Sequence, residues 1–406
     1  LPKLIEQAQA ASPSLSGAVA RLEQARAERV AGMAALGPSV DFGASAQRGN
    51  AQFPLPLAAI GSASLSASWE ADLFDGKKLA LQAAQARFEG AQAQWHDART
   101  VIAAETALLY LSVQYCGNLL GLLQEDAEAI KTIERNASLA VGAGLLVRSS
   151  LELTRVQASM ADLRIERQRA ACDTDIKSMA ALTAIAETQL RSMLAAGTLR
   201  RFEAPPVFAV DALPARVILQ RPDVVIAERE MMAAASDIGQ IQASRLPRLS
   251  LSGSIGMLSV RGQGLSTDLD TWAIGPLRLQ LPIHDGGIIN AREAAARARY
   301  EDSVKQVQAK VRHAVREVED ALQQAHSLRQ RMRQAEAARA HLESTHQAIT
   351  MRHRAGLATR NELEESRRAL IDNEITLLGL KREQWIAGVT LYRAAGGGWA
   401  STVTPS

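Results

Sequence analysis

The residues whose chemistry depends most on spacing are two cysteines, Cys116 and Cys172, which lie 28 residues on either side of Gly144. If the chain turns back at that glycine, both fall at the same height on neighbouring helices. A disulfide needs Cα atoms about 4.4–6.8 Å apart, closer than most helix axes approach. The spacing therefore favours two buried, unpaired thiols, with a disulfide as the alternative. The seven histidines are scattered; His341 and His346 are five residues apart, on different sides of a helix, and make no metal pair. They are expected at the surface. The sequence has no G-x-S-x-G, P-loop, H-E-x-x-H or glycine-rich dinucleotide pattern. No catalytic residue, cofactor or metal is expected, and the chain is not read as an enzyme.

The elements that would position any site follow from composition. Aromatic residues make up only 4% of the 406, while Ala, Gln, Arg, Glu and Leu dominate long stretches, as in long packed helices. Lys and Arg number 46 against 43 Asp and Glu, with the signs interspersed, so nucleic acid is not an expected partner. No stretch approaches the ~18 consecutive apolar residues of a spanning helix, and LPKLIEQAQA lacks a signal-peptide apolar region. Either the protein is soluble, or a precursor segment has been removed and strands cross the membrane.

An internal repeat sets the organisation. Pro13 to Pro38 and Pro222 to Pro247 are both 25 residues apart, and each span is alanine-rich with helical periodicity. Leu73-Phe74-Asp75-Gly76 matches Ile283-His284-Asp285-Gly286, and Ala143-Gly144-Leu145 matches Ala355-Gly356-Leu357. The register continues through Arg148/Arg360, Leu151/Leu363, Glu152/Glu364 and Arg155/Arg367. The first repeat, 1–210, reads as a helix, strands at about 38–48 and 62–72, and a helical hairpin turning at about 142–148. The second, 211–406, reads as a helix, strands at about 247–258 and 271–283, and a hairpin turning at about 354–360. The junction is expected near Gly197 to Pro214.

The strands alternate with period two: Ala63, Leu65, Ala67 and Trp69 against serines, and Val40, Phe42, Ala44 and Ala46 against polar or small residues. Leu249, Leu251, Ile255 and Met257 do the same in the second half. A membrane β-barrel needs this pattern, and so does a half-buried strand of a soluble sandwich. Val304, Val307, Val311, Ala314, Val318, Ala321, Ala325, Leu328 and Met332 step by 3 and 4, a coiled-coil seam with many small knobs. Asp75 to about Ala140 contains no proline, so one helix there would run on the order of 100 Å. Gly144 and Gly356 can take the left-handed conformation that ends such a helix.

Four amphipathic strands cannot close a membrane barrel alone, and open edges in lipid leave backbone groups unsatisfied. Three chains giving twelve strands is the simplest closed solution. The fold class is mainly α with a membrane β-barrel. A soluble coiled-coil and β scaffold, and a general outer-membrane pore without an efflux role, are the competing classes.

Ser68-Trp69-Glu70-Ala71-Asp72-Leu73-Phe74, followed by Gly76, resembles the S-W-E-x-D-L-F-G segment of the TolC/OprM-type outer-membrane efflux factors. Leu281-Pro282-Ile283-His284-Asp285-Gly286-Gly287 is similar to their L-P-I-F-D-G-G. Arg221-Pro222-Asp223-Val224 through Asp237-Ile238-Gly239 to Pro247, Leu249, Ser250, Leu251 and Gly253 resembles their R-P-D-V…A-D-I-G…P-x-L-S-L-x-G signature.

The resemblance implies a homotrimer in the outer membrane of a Gram-negative bacterium, with a twelve-stranded barrel, a periplasmic α-helical barrel and an equatorial region near the repeat junction and termini. It implies a passive exit channel of a tripartite efflux pump for drugs or other small toxic compounds, docking to a periplasmic adaptor and an inner-membrane pump. It also places a gate and adaptor-docking region at the hairpin tips. Here that region is Gly144, Arg148, His353, Gly356, Arg360, Glu362, Glu364 and Glu365. His353 stands where a tyrosine is common, and Arg360-Asn361 where apolar or aromatic residues are common. Glu362, Glu364 and Glu365 are expected to form an acidic ring, with Arg148 and Arg360 pairing across the tips. Trp69 and Trp272 are membrane-interface candidates, with packing in the core or the lumen as the alternative.

Overall fold

The computed structural model describes residues 1–49, 58–196, 215–262 and 265–397; the expected repeat junction at 197–214 lies outside them. Helix α1 (Pro2–Ala11) is followed by α2 (Pro13–Ala34), whose first turn is closed by Ser12 Oγ accepting from Leu15 N at 3.3 Å, with proline in the first position. Strands β1 (Ser39–Gly49) and β2 (Ala58–Ala71) lead into the 67-residue helix α3 (Gly76–Gly142). Then come α4 (Arg148–Thr183), α5 (Glu187–Ala196), α6 (Ala215–Leu219) and α7 (Pro222–Ala243). Strands β3 (Arg248–Gly262) and β4 (Leu265–Gln280) precede α8 (Ile288–Arg354) and α9 (Arg360–Ala394). Helices α2 and α7 are both 22 residues long, and α8 matches α3 at 67.

The compact units cut across the sequence repeat. One draws on Ala18–Trp95 and Asp223–Lys310, the other on the described parts of Leu1–Gly17, His96–Pro222 and Val311–Ser406. Each takes corresponding pieces of both halves. The reason is visible in the sheet, whose order is β1-β2-β3-β4, all antiparallel, so β2 of one half pairs with β3 of the other. A lone two-stranded ribbon is marginal in stability, and the two halves supply each other's missing strands.

In the sheet unit, Ala83 and Ala86 of α3 pack on Ala233 of α7, where small side chains allow close approach. Asp72 starts α3 by accepting from Lys77 N at 3.0 Å and Lys78 N at 2.8 Å. Asp285 starts α8 by accepting from Gly287 N at 2.9 Å and Ile289 N at 2.7 Å, which holds its carboxyl below the usual carboxylate range. The sequence match Asp75/Asp285 therefore does not pair equivalent caps. Asp75, at φ 57°, instead bonds Lys78 at 2.7 Å.

In the helical unit each hairpin has its own seam. Ala127 and Ile130 of α3 pack on Ala158, Ala161 and Ile165 of α4. Leu328 and Ala335 of α8 pack on Leu377 and Leu380 of α9. Of the residues expected in the α8 seam, Ala314, Val318, Ala321 and Leu328 are buried. Leu4 of α1 lies against Met179 and Leu190, tying the N-terminal helix to α4 and α5.

Cys116 and Cys172 are joined by a disulfide with Cα atoms 5.6 Å apart. The pairing disfavoured from spacing is thus the one present, because α3 and α4 approach more closely at this level than typical helices do. One further difference concerns α3, which contains a window of mean hydropathy 1.3, apolar and long enough to cross a membrane, with only 17% of it buried.

Candidate functional site

Because directly opposite residues of antiparallel strands point to the same side, the register sorts the sheet into two faces. One face carries the rows Ala71–Leu249–Leu279, Trp69–Leu251–Leu277, Ala67–Gly253–Ile274, Leu65–Ile255–Trp272 and Ala63–Met257–Asp270. On β1 it adds Val40, Phe42 and Ala44, paired with Ala67, Leu65 and Ala63. These five rows span about 27 Å along the strands, about 19 Å along the membrane normal at a 45° tilt, which is most of the ~25 Å apolar band of membrane barrels. Much of the band faces no protein: Phe42 is 71% exposed, Trp272 75% and Ile274 84%.

The other face is built from Ser39, Ser68 and Ser252, then Asp41, Ser66 and Ser254, then Gly43, Ser64, Gly256 and Thr271. Ser39 and Ser68 share a hydrogen bond at 2.8 Å, as do Ser45 and Ser62. Strands β2 and β3 pack with no space at Gly256, where a Cβ would fall 2.4 Å from the Ala63 carbonyl oxygen. Among the described residues, β1 and β4 each pair on one side only.

Trp69 and Trp272 both lie on the apolar face, two rows apart, so they do not share one girdle level. The Trp69 indole donates to Leu36 O at 3.1 Å, near the helix-side end of the strands.

In the helical unit, both turns are glycine-closed. Gly144 has φ 73° and Gly356 φ 72°, and Leu145 N→Ala140 O and Leu357 N→Arg352 O each close at 2.8 Å, the geometry that satisfies the last carbonyls of a helix. The second turn is the better tied. Arg352 Nη2 donates to Leu357 O at 3.1 Å, and His353 Nδ1 lies 2.9 Å from Ala358 O, so that nitrogen carries the proton. Thr359 and Glu362 form a reciprocal cap of α9: Thr359 N donates to Glu362 Oε2 at 2.6 Å and Glu362 N to Thr359 Oγ1 at 3.1 Å. The first of these bonds, then the Thr359 hydroxyl, hold the Glu362 carboxyl below its usual range. The first turn has no side-chain cap at Val147, and Leu145 and Val147 stand exposed.

Within one chain the three glutamates expected in the acidic ring have different surroundings. Glu362 is used in the cap, Glu364 is buried at 2% exposure and bonded to Arg360 at 2.6 Å, and Glu365 faces solvent. With about 3.6 residues per turn, positions 362 and 364 sit on nearly opposite sides of the helix. Nor do the two arginines meet acids of the opposite turn. Arg148 lies 4.0 Å from Glu152 and Arg360 2.6 Å from Glu364, each within its own helix.

The contacts that join the two hairpins involve residues the sequence did not single out. Asp126 of α3, 11% exposed at its side chain, accepts from Arg368 Nε of α9 at 2.8 Å and from Arg164 Nη2 of α4 at 3.3 Å. Asn136 donates to Asn361 across the same helices at 3.0 Å. The histidines are also placed: His341 is exposed and His346, half-buried, lies 2.8 Å from Ser366 Oγ. No cluster of metal-ligating side chains is found among the described residues.

A sheet with one apolar and one serine face, in a chain that also folds two long coiled-coil hairpins, has the features of an outer-membrane channel protein. The outer membrane efflux protein family model matches residues 4–187 and 213–397, and the chain belongs to that family. It is 28% identical to outer membrane protein OprJ of Pseudomonas aeruginosa over 98% of this chain and 84% of that protein. It is 27% identical to the pyoverdine export outer membrane protein OpmQ of Pseudomonas putida, over 98% and 86%. The solved outer-membrane channel OprN has the same fold, with a TM-score of 0.84 and 23% identity over 98% of this chain and 90% of that one.

Proposed function

We propose that three copies of this chain close a twelve-stranded barrel and a helical tube, forming the passive exit channel of a tripartite efflux pump. The observation that carries this reading is the sheet itself: four strands, two edges unpaired among the described residues, one apolar face and one serine face. Open edges are not tolerated in lipid, and only closure with other copies satisfies them.

A second feature supports closure. On α4, Leu153, Val156, Met160 and Leu163 are all more than half exposed and step by 3, 4 and 3. That is a heptad seam with no partner among the described residues, on a helix whose opposite face is already packed on α3. The poorly buried apolar window of α3 fits the same need.

The gate is assigned to the hairpins, held by Asp126 between Arg164 and Arg368, by Asn136–Asn361, and by the tied second turn. Arg148, Glu362 and Glu365 remain on the tip surface, where an adaptor protein would dock. An inner-membrane pump supplies energy and selects drugs or other small toxic compounds; the channel catalyses no reaction. Thiol labelling in reconstituted membranes tests the faces. Ser66→Cys is expected to react with a charged, water-soluble maleimide and Phe42→Cys to be protected. Equal labelling of both would sink the barrel reading.

A further inference from the structure

Beyond its last apolar row, the outward face of the sheet changes character. The next row is Ala46, Gly61, Ser259 and Asp268, and the one after it places Arg48, Ala59 and Arg261 side by side on β1, β2 and β3. The two arginines are separated by two strand spacings, about 10 Å between Cα atoms. Between them stands only the Ala59 methyl, and below lie Ala46 and Gly61. A Cβ at Gly61 would meet nothing within 4 Å. The result is an open slot with a guanidinium on each side.

Both arginines are exposed, and among the described residues neither has a hydrogen-bond or carboxylate partner. Asp268 sits on β4, on the far side of Arg261 from the slot, and forms no ion pair with it. The other end of the same face differs. There the rows end in Ala71, Leu249 and Leu279, followed by exposed Leu73, Leu281 and Ile283. The basic pair thus marks only the end of the strands remote from the helices.

Its depth is informative. The arginine row lies four residues past the last apolar row, about 14 Å along a strand and about 10 Å along the membrane normal at a 45° tilt. That is headgroup depth. Two guanidiniums converging on one slot suit a phosphate, which each can engage with a forked pair of hydrogen bonds.

We propose that Arg48 and Arg261 clamp the phosphate of a lipid headgroup in the outer leaflet, making this row a lipid-docking surface on the barrel exterior. The inference rests on the barrel reading above and adds to it a specific lipid contact. A phosphorylated glycolipid such as lipid A has the required chemistry.

The test uses the full-length protein purified in mild detergent, first weighed for its oligomeric state, then exchanged into bilayer discs of phosphatidylcholine with lipid A. Lipid retained through a second detergent exchange is counted by mass spectrometry. Wild type and the inward-facing control Arg278→Ala are expected to retain lipid A, and the double variant R48A/R261A about a hundredfold less, the loss of two charge-assisted contacts. Dephosphorylated lipid A is expected to be retained no better by wild type than by the double variant. Should the double variant not assemble, Arg48→Lys and Arg261→Lys singly are each expected to lose about threefold, keeping charge without the fork. Equal retention of lipid A by wild type and variants overturns the proposal, as does retention of the dephosphorylated lipid by wild type as strong as that of lipid A. Displacement of lipid A by millimolar inorganic phosphate would mark a free-anion site and overturn it as well. Failure of the barrel reading is seen separately, as a wild type that is not a trimer before lipid is added.

Discussion

Replacing Asp126 by alanine is the sharpest probe of how the hairpins are held. Its carboxylate is nearly buried and bridges three helices, to Arg368 at 2.8 Å and Arg164 at 3.3 Å. The Arg164 partner is half exposed, so that contact contributes under about 1 kcal/mol. The Arg368 bond, with a guanidinium 29% exposed, is worth about 1.5 kcal/mol as a charge-assisted hydrogen bond. Arg164 lies on α4 of the same hairpin, so only the Arg368 bond holds α3 to α9, by about 1.5 kcal/mol, a factor of about 12 in any equilibrium that separates the hairpins. Purified Asp126→Ala protein in planar bilayers is therefore expected to show an open fraction about 12-fold above wild type. Arg368→Ala should shift it in the same direction, and the double variant D126A/R368A should add little, since both remove one interaction. An open fraction within twofold of wild type, in variants that still assemble, would refute the assignment of the lock to this carboxylate.

Other outcomes follow from the same geometry. Thr359→Ala removes half of the α9 cap and is expected to cost about 1 kcal/mol, read as roughly fivefold faster hydrogen exchange at the Glu362 amide. Because the Glu362 pKa is depressed in the folded state, its stabilisation is present above the unfolded carboxylate value of about 4.3 and is lost as pH falls through the lower folded value. Exchange protection at the second turn should therefore hold at pH 5 and fall away below about pH 4, and E362Q should flatten that profile; an unchanged profile would count against the cap. Gly256→Val should lower the melting temperature of the strand signal sharply, since its Cβ meets the β2 backbone, whereas Gly43→Ala, with nothing within 4 Å, should cost under about 1 kcal/mol. Cys116→Ser opens a bridge spanning 56 residues and should destabilise the α3–α4 hairpin by about 2–4 kcal/mol in thermal unfolding. No change in either melt would contradict the packing described.

The parts of the fold that sequence exposed are those where one physical requirement repeats. Serine alternates with Ala63, Leu65, Ala67 and Trp69 because the sheet divides two environments, and α8 shows its seam because each turn meets the same neighbour. Gly144 and Gly356 were legible because their φ excludes most side chains. The strand ends were not. β2 begins at Ala58 and β4 at Leu265, ahead of the visible alternation, because polarity inverts there. Ile60, Leu258, Val260 and Leu269 lie on the serine side, while Arg48, Arg261 and Asp268 lie on the apolar side. The Asp126–Arg368 contact joins residues 242 apart, and no local pattern encodes it. The burial of Glu364 beside exposed Glu365 depends on which face of α9 meets its neighbours, which three adjacent glutamates do not reveal. The disulfide depended on how closely α3 approaches α4, a distance set by packing and not by residue count.

Closure of the sheet by other copies is the claim on which the channel depends. The most direct measurement is the native mass of the protein extracted from membranes in mild detergent. Three times the 43.6 kDa chain, with detergent required to keep it in solution, is the predicted result. A monomer or dimer that stays soluble without detergent would contradict the account, because two open sheet edges and an exposed apolar face would then be stable in water.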